Sequence, residues 1–168
     1  MRRLTGRTRP ARRLFGFTGP LTMASASPPN DRAYAYFRVV GDFDPGAITS
    51  AIGLAPSEAW ARGETFQRSG RSLIRRADCW RLDSGLAETA PMDDHVAALL
   101  RVLAPRRDGL LALPADLRRQ IVCIGHFRQS FSWELDFSHQ KLATDLGICF
   151  WIEAYALSET AEAAPRVH

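Results

Sequence analysis

"DFDPGAITSAIGL" (Asp42–Leu54) and "DFSHQKLATDLGI" (Asp136–Ile148) are two versions of one local instruction, and comparing them sets the expected fold. In the first, Asp44 is suited to cap a helix that begins at Pro45, where proline's missing N–H costs nothing. Gly53 stands where a left-handed residue closes the last turn. Between them Ile48 and Ile52 share one face. In the second, Ser138 falls on Asp44, Leu142 on Ile48, Leu146 on Ile52, Gly147 on Gly53 and Ile148 on Leu54. Caps match caps, the apolar face matches itself, and the terminating glycine recurs. A duplicated chemical site would match reactive side chains instead, yet His139 falls on Pro45 and Lys141 on Ala47. The aspartates of Asp42-Phe43 and Asp136-Phe137 read as strand ends that bond nearby backbone N–H groups. The expectation is a duplicated strand-helix-strand unit.

Outward from these segments the chain alternates strands and helices. "AYAYFRVVG" (33–41) is β-branched and aromatic, as strands prefer. "SFSWELDF" (130–137) alternates strictly, with Phe131, Trp133, Leu135 and Phe137 on one side, and reads as the strand that enters the second unit. "SEAWARGETF" and "SLIRRADCWRL" are two strand-like segments divided by a hairpin turn at Arg68-Ser69-Gly70-Arg71. "PMDDHVAALLRVLAP" is a helix: Pro91 lies at its first turn, Asp93 and Asp94 suit the positive end of the dipole, Arg101 suits the other end, and Pro105 follows. Its Val96, Leu99, Leu100 and Leu103 form one stripe. "RRDGLLALPADL" reads as an irregular connector with a turn at Asp108-Gly109, and "QIVCIGHF" as a buried strand. The last strand, "ICFWIEAYAL", is apolar on both sides, which predicts a central position covered on both faces. The fold class is α+β, a ferredoxin-like pseudo-symmetric sheet of about six strands with three helices on one face. Its helix-free face then needs a cover: a bend of the sheet, a second copy, a protein ligand or a small molecule.

At 168 residues the chain fits one domain that needs no disulfide or metal staple. No apolar run approaches the roughly 20 residues of a membrane-spanning helix. Cys79, Cys123 and Cys149 form no Cys-x-x-Cys pair, so neither a zinc site nor a disulfide framework is expected. Three buried thiols on strands and a cytoplasmic location are. The net charge of +4 is local: residues 1–22 hold six arginines and no acid, and the remainder carries 16 basic against 18 acidic residues. Residues 1–30 lack periodicity and are broken by proline and glycine, so they are expected to be disordered. Three readings fit them: upstream sequence before a true start at Met23, a targeting peptide, or a basic tail. Residues 31–158 form the expected single domain and 159–168 a frayed tail.

Candidate sites are few. Arg62 and Glu64 flank Gly63, and Trp80, Arg81 and Ser84 close a strand; together they would make a polar pocket with an apolar wall. His126 on its strand could join that pocket, and Trp151 and Tyr155 mark the last strand as a contact surface. No Gly-x-Ser-x-Gly, Gly-x-x-x-x-Gly-Lys, His-Glu-x-x-His or Gly-x-Gly-x-x-Gly occurs, so no catalytic residue, metal or cofactor is assigned. The acidic body and missing RRM aromatic signature argue against nucleic acid.

The ordered set "YFRVVGDFDPGAITSAIGLAPSEAWARGE", "CWRLDSGL", "PMDDHVAALLRVLAP" and "LGICFWIEAYAL", about residues 34–157, resembles the bacterial family catalogued as domain of unknown function 4279. The resemblance implies a shared fold and no activity, cofactor or catalytic residue. The functional expectation is a non-enzymatic interaction module that uses the helix-free face for a protein partner or for itself. The alternative is a small-ligand site or enzyme pocket at Arg62, Glu64, Trp80 and His126.

Overall fold

A computed structural model describes residues 31–130 and 132–157; the expectations for segments 1–30 and 159–168 lie outside the described residues. In chain order the elements are β1 (Arg32–Gly41), α1 (Pro45–Ile52), β2 (Glu58–Trp60), β3 (Thr65–Arg68), β4 (Arg71–Ile74), β5 (Asp78–Asp83), α2 (Met92–Leu103), α3 (Arg107–Leu111), β6 (Arg118–Phe127), α4 (Phe137–Asp145) and β7 (Cys149–Ala156). Five strands form a mixed sheet in the order β2-β5-β1-β6-β7, antiparallel except for the β6–β7 pair. β3 and β4 make a separate hairpin whose turn residues Ser69 and Gly70 have φ of 50° and 74°, the doubly left-handed geometry of a two-residue hairpin loop.

One core lies on one face of the sheet. Ala33, Ala35, Phe37 and Val39 of β1, Trp80 of β5 and Ile121 and Cys123 of β6 meet Ile48 and Ile52 of α1, the α2 stripe, Leu110 of α3, and Ala143 of α4. The α1 reading holds in detail: Asp44 accepts from Gly46 N–H at 3.2 Å, and Gly53 closes the helix at φ 68°. The α2 stripe of Val96, Leu99, Leu100 and Leu103 is buried as its spacing predicts.

Four readings need correction. The segment "SFSWELDF" is not a strand: Ser132–Asp136 has no ladder partner among the described residues, and Phe131 lies outside them. Its alternation still has a physical basis, because Trp133 and Leu135 pack on the core and Trp133 Nε1 donates to Asp93 Oδ1 on α2 at 2.9 Å. The segment docks by side chains, whereas period-2 alternation says nothing about main-chain partners. Asp136, not Ser138, caps α4, accepting from Ser138 N–H at 2.7 Å, so the helix begins at Phe137, which is 77% exposed. The copies agree from their apolar faces to their far ends: Leu142 and Leu146 pack on the core as Ile48 and Ile52 do, and Gly147 at φ 67° answers Gly53. Topology separates them further: α1 joins strands on either side of β5, whereas α4 joins adjacent β6 and β7.

The connector 106–117 is not irregular throughout. Pro105 lies in a 3₁₀ turn (Ala104–Arg106) that leads directly into α3. Gly109 does not form a turn; it lets α3 touch α1, where an added Cβ would sit 2.1 Å from Ala51 O. Gly109→Ala should therefore cost about 1–2 kcal/mol by forcing the two backbones apart, measured as a shift in the urea midpoint. An unchanged midpoint would mean that this approach is not tight.

The last strand is not central. β7 is an edge strand with Trp151, Ile152 and Tyr155 42%, 50% and 47% exposed. Cys149 is likewise exposed, while Cys79 and Cys123 are buried and their thiols are pushed up to about 11 and about 12 by desolvation.

Candidate functional site

Because alternate β1 residues enter the core, Tyr34, Tyr36, Arg38 and Val40 line the opposite, helix-free face. Register adds Arg81 and Asp83 from β5, Glu58 and Trp60 from β2, His126 from β6, and Trp151, Glu153 and Tyr155 from β7. The β3–β4 hairpin shares walls with this face. Two cavities of about 690 and 1000 Å³ lie between them and have Arg38, Trp60, Phe66 and Arg75 in common.

The face is organised by arginines laid on rings. Arg75 lies 3.8 Å from the centre of Trp60 and 3.9 Å from that of Phe66, and Arg81 lies 4.1 Å from that of Tyr36. Each such contact contributes about 0.5–2 kcal/mol, more where water is excluded. Glu58 joins the two arginines, at 3.4 Å from Arg75 and 3.6 Å from Arg81, and Asp83 takes Arg81 Nε at 2.7 Å. Arg38 differs. Its Nε donates to Gln120 Oε1 at 3.0 Å and its guanidinium stands 5.4 Å over Trp151, but among the described residues no carboxylate lies within ion-pair distance.

At the other end of β1, His126 stacks between Tyr34 and Tyr155, with ring centres 6.4 and 5.1 Å apart. Desolvation first, and the Arg32 charge second, pull its pKa below the ordinary imidazole value against the opposing charge of Glu88, a shift that favours the neutral ring. Glu153 accepts from Trp151 Nε1 at 2.8 Å and from Tyr155 OH, and these bonds lower its pKa.

The structure brings Arg81, His126, Trp151 and Tyr155 onto one face, with Ser84 at the rim of the larger cavity. It separates Arg62, Glu64 and Trp80 from them. Trp80 is fully buried on the helix side, edge-on to Phe37, and its Nε1 donates to Thr49 Oγ1 at 3.0 Å. Arg62 uses its main chain, donating to Asp78 Oδ1 at 2.6 Å, and Glu64 folds back to accept from Ala61 N–H at 2.8 Å. Asp78 pairs with Gly41 and His126 with Arg32, so nine strand steps of β1, roughly 30 Å, lie between those ends. Ser84 Oγ lies 2.6 Å from Nδ1 of His95, a fully buried ring whose pKa is lowered by desolvation. Desolvation outweighs the nearby carbonyls of Ala87 and Ala33 and the charges of Asp94 and Glu88, and the Ser84–His95 pair ties the end of β5 to α2.

Arg38, Trp60, Phe66 and Arg75 were not singled out by sequence. The signal for Arg38 was available: once Ala33, Ala35, Phe37 and Val39 are core, period 2 puts Tyr34, Tyr36 and Arg38 together on the other face.

Residues 31–157 match the family model described as Domain of unknown function (DUF4279). The chain belongs to the DUF4279 family. No curated protein and no solved structure matches it. The matched range spans every described strand and helix, so the groove and its arginine stacks lie wholly within the DUF4279 domain. Among its described residues no helix is long and apolar enough to cross a membrane, and no group of three or more His, Cys, Asp or Glu side chains could hold a metal ion.

Proposed function

We propose that this DUF4279 protein is a non-enzymatic binding module whose groove, between the helix-free face and the β3–β4 hairpin, holds a carboxylate-bearing segment of a partner protein. Arg38 carries the reading. It is a half-buried guanidinium, oriented by Gln120 and Trp151, with only the longer-range charge of Glu153 acting on it and no carboxylate within ion-pair distance among the described residues, in a groove with five arginines and three carboxylates in its walls. Oriented guanidinium groups recognise carboxylates by paired hydrogen bonds, and the surrounding rings supply apolar contact area. A cytoplasmic site of action is part of the proposal, supported by three unpaired thiols. The order β2-β5-β1-β6, antiparallel at each step with α1 and α2 on one face, supports a ferredoxin-like ancestry for that part of the sheet, with α4 and β7 added.

Native mass spectrometry of the protein purified gently from its own host should show a second polypeptide. Arg38→Glu should weaken its retention about tenfold or more by placing like charge against it, with the melting temperature unchanged. A monomer carrying a few-hundred-dalton excess would replace this reading with small-ligand binding. Retention of the polypeptide by Arg38→Glu would remove the groove from the interface.

A further inference from the structure

Among the described residues no strand pairs with the outer side of β7, which is a surface distinct from the groove although Trp151 reaches Arg38 from it. It is eight residues long, and Cys149–Ala156 contains no Pro, Lys or Arg, the usual devices that keep an edge strand from pairing. Its one charge, Glu153, is tied down by Trp151 and Tyr155 of the same strand. The bond from Leu157 N–H to Phe127 C=O fixes the phase of the strand: odd-numbered residues turn their main-chain groups toward β6, and those of Phe150, Ile152 and Ala154 face outward.

We infer that β7 pairs antiparallel with β7 of a second copy of this chain, about a twofold axis through Ile152, to form a continuous ten-stranded sheet. The axis must keep each face of the sheet with its like, so only residues of equal parity can oppose one another. Centred on Ile152, the two isoleucines exchange both main-chain bonds, Phe150 opposes Ala154, and Trp151 of each copy opposes Glu153 of the other. Centred on Glu153, two carboxylates would face each other at close range, which disfavours that register. Of these two registers the charge pattern favours the one centred on Ile152, in which the outward main-chain groups of a second copy are met. An edge of this length buries roughly 600–1,000 Å² in total, below the size of a stable obligate dimer, so the dimer should be reversible with a dissociation constant in the micromolar range.

Sedimentation velocity of the full chain across a micromolar concentration series is the test. The wild type should pass from monomer to dimer. Ile152→Lys and Ile152→Glu should each remain monomeric, and their equimolar mixture should dimerise again, because the axis brings opposite charges together. Because Ile152 is half exposed, neither variant should lose its melting transition. A wild type that stays monomeric throughout, a dimeric Ile152→Lys variant, or a mixture that fails to dimerise would each overturn the inference. Arg38→Glu should leave the dimer intact, so failure of the groove reading and failure of this one give different results.

Discussion

Trp80→Ala should lower unfolding stability by about 4 kcal/mol, or roughly 15 °C in melting temperature for a domain of this size. Trp80 fills the space between Phe37 and α1, and no neighbour can collapse into the volume of an indole without disturbing the β1–β5 pairing. Trp80→Phe should cost about 1–2 kcal/mol, because the ring remains while the bond to Thr49 Oγ1 is lost. The pair of variants separates a core role from a pocket role: Trp80→Phe should retain the groove's partner in full once the protein is folded. Urea titration measures the first effect and native mass spectrometry the second. A fully stable Trp80→Ala protein that has lost its partner would reverse the assignment.

The position of Trp80 also shows what the sequence could and could not convey. Hydrophobic period and capping residues are local quantities, and they located α1, α2, β1, β6 and the 68–71 turn because each is decided within one or two turns of chain, whereas 57–66 and 72–82, each read as one strand, divide into β2 and β3 and into β4 and β5, because β3 and β4 leave the main sheet. Which side of a strand faces a helix is decided by packing between elements distant in sequence, and a tryptophan before an arginine reads equally well as pocket wall or core. The same limit explains β7. Apolar residues on both sides of a strand imply that both faces find contacts, but Phe150 finds the core while Trp151 and Tyr155 find Arg38 and His126 across an exposed face. The segment 132–136 is the converse case, an alternation that docks Trp133 and Leu135 half-buried on the core without a sheet. Arg62 and Glu64 looked polar enough for a site, yet turn formation uses them through a main-chain N–H and a folded-back carboxylate.

Asp78→Asn should cost about 2–3 kcal/mol at pH 7, because two N–H donors now share one acceptor oxygen and the new amide nitrogen opposes the other donor. Asp78 is nearly buried at the start of β5 and accepts from Phe43 N–H at 2.9 Å and Arg62 N–H at 2.6 Å, joining the β1–α1 turn to the β2–β3 turn. The bond from Arg62, then that from Phe43, holds its pKa below the ordinary 3.8. A carboxylate depressed in the folded state stabilises fully above its unfolded pKa and loses that contribution as pH falls through 3.8 toward the folded value. Protonated Asp78 resembles asparagine, so the stability gap between wild type and variant should be constant above about pH 5 and shrink as the solution is acidified further. Urea titrations of both proteins across that range measure the gap directly; a gap that persists unchanged into strong acid would rule out an ionised acceptor. The consequence reaches the groove. Arg62 precedes Gly63 and Glu64, whose main chains bond Arg75 C=O and N–H at 2.9 and 2.8 Å, and Arg75 is the arginine set against Trp60 and Phe66. Releasing Asp78 therefore loosens the base of the β3–β4 hairpin. Asp78→Asn at pH 7 should accelerate hydrogen exchange at Gly63 and Arg75 N–H groups more than at β1 and β6, and weaken partner retention without altering any residue that lines the groove.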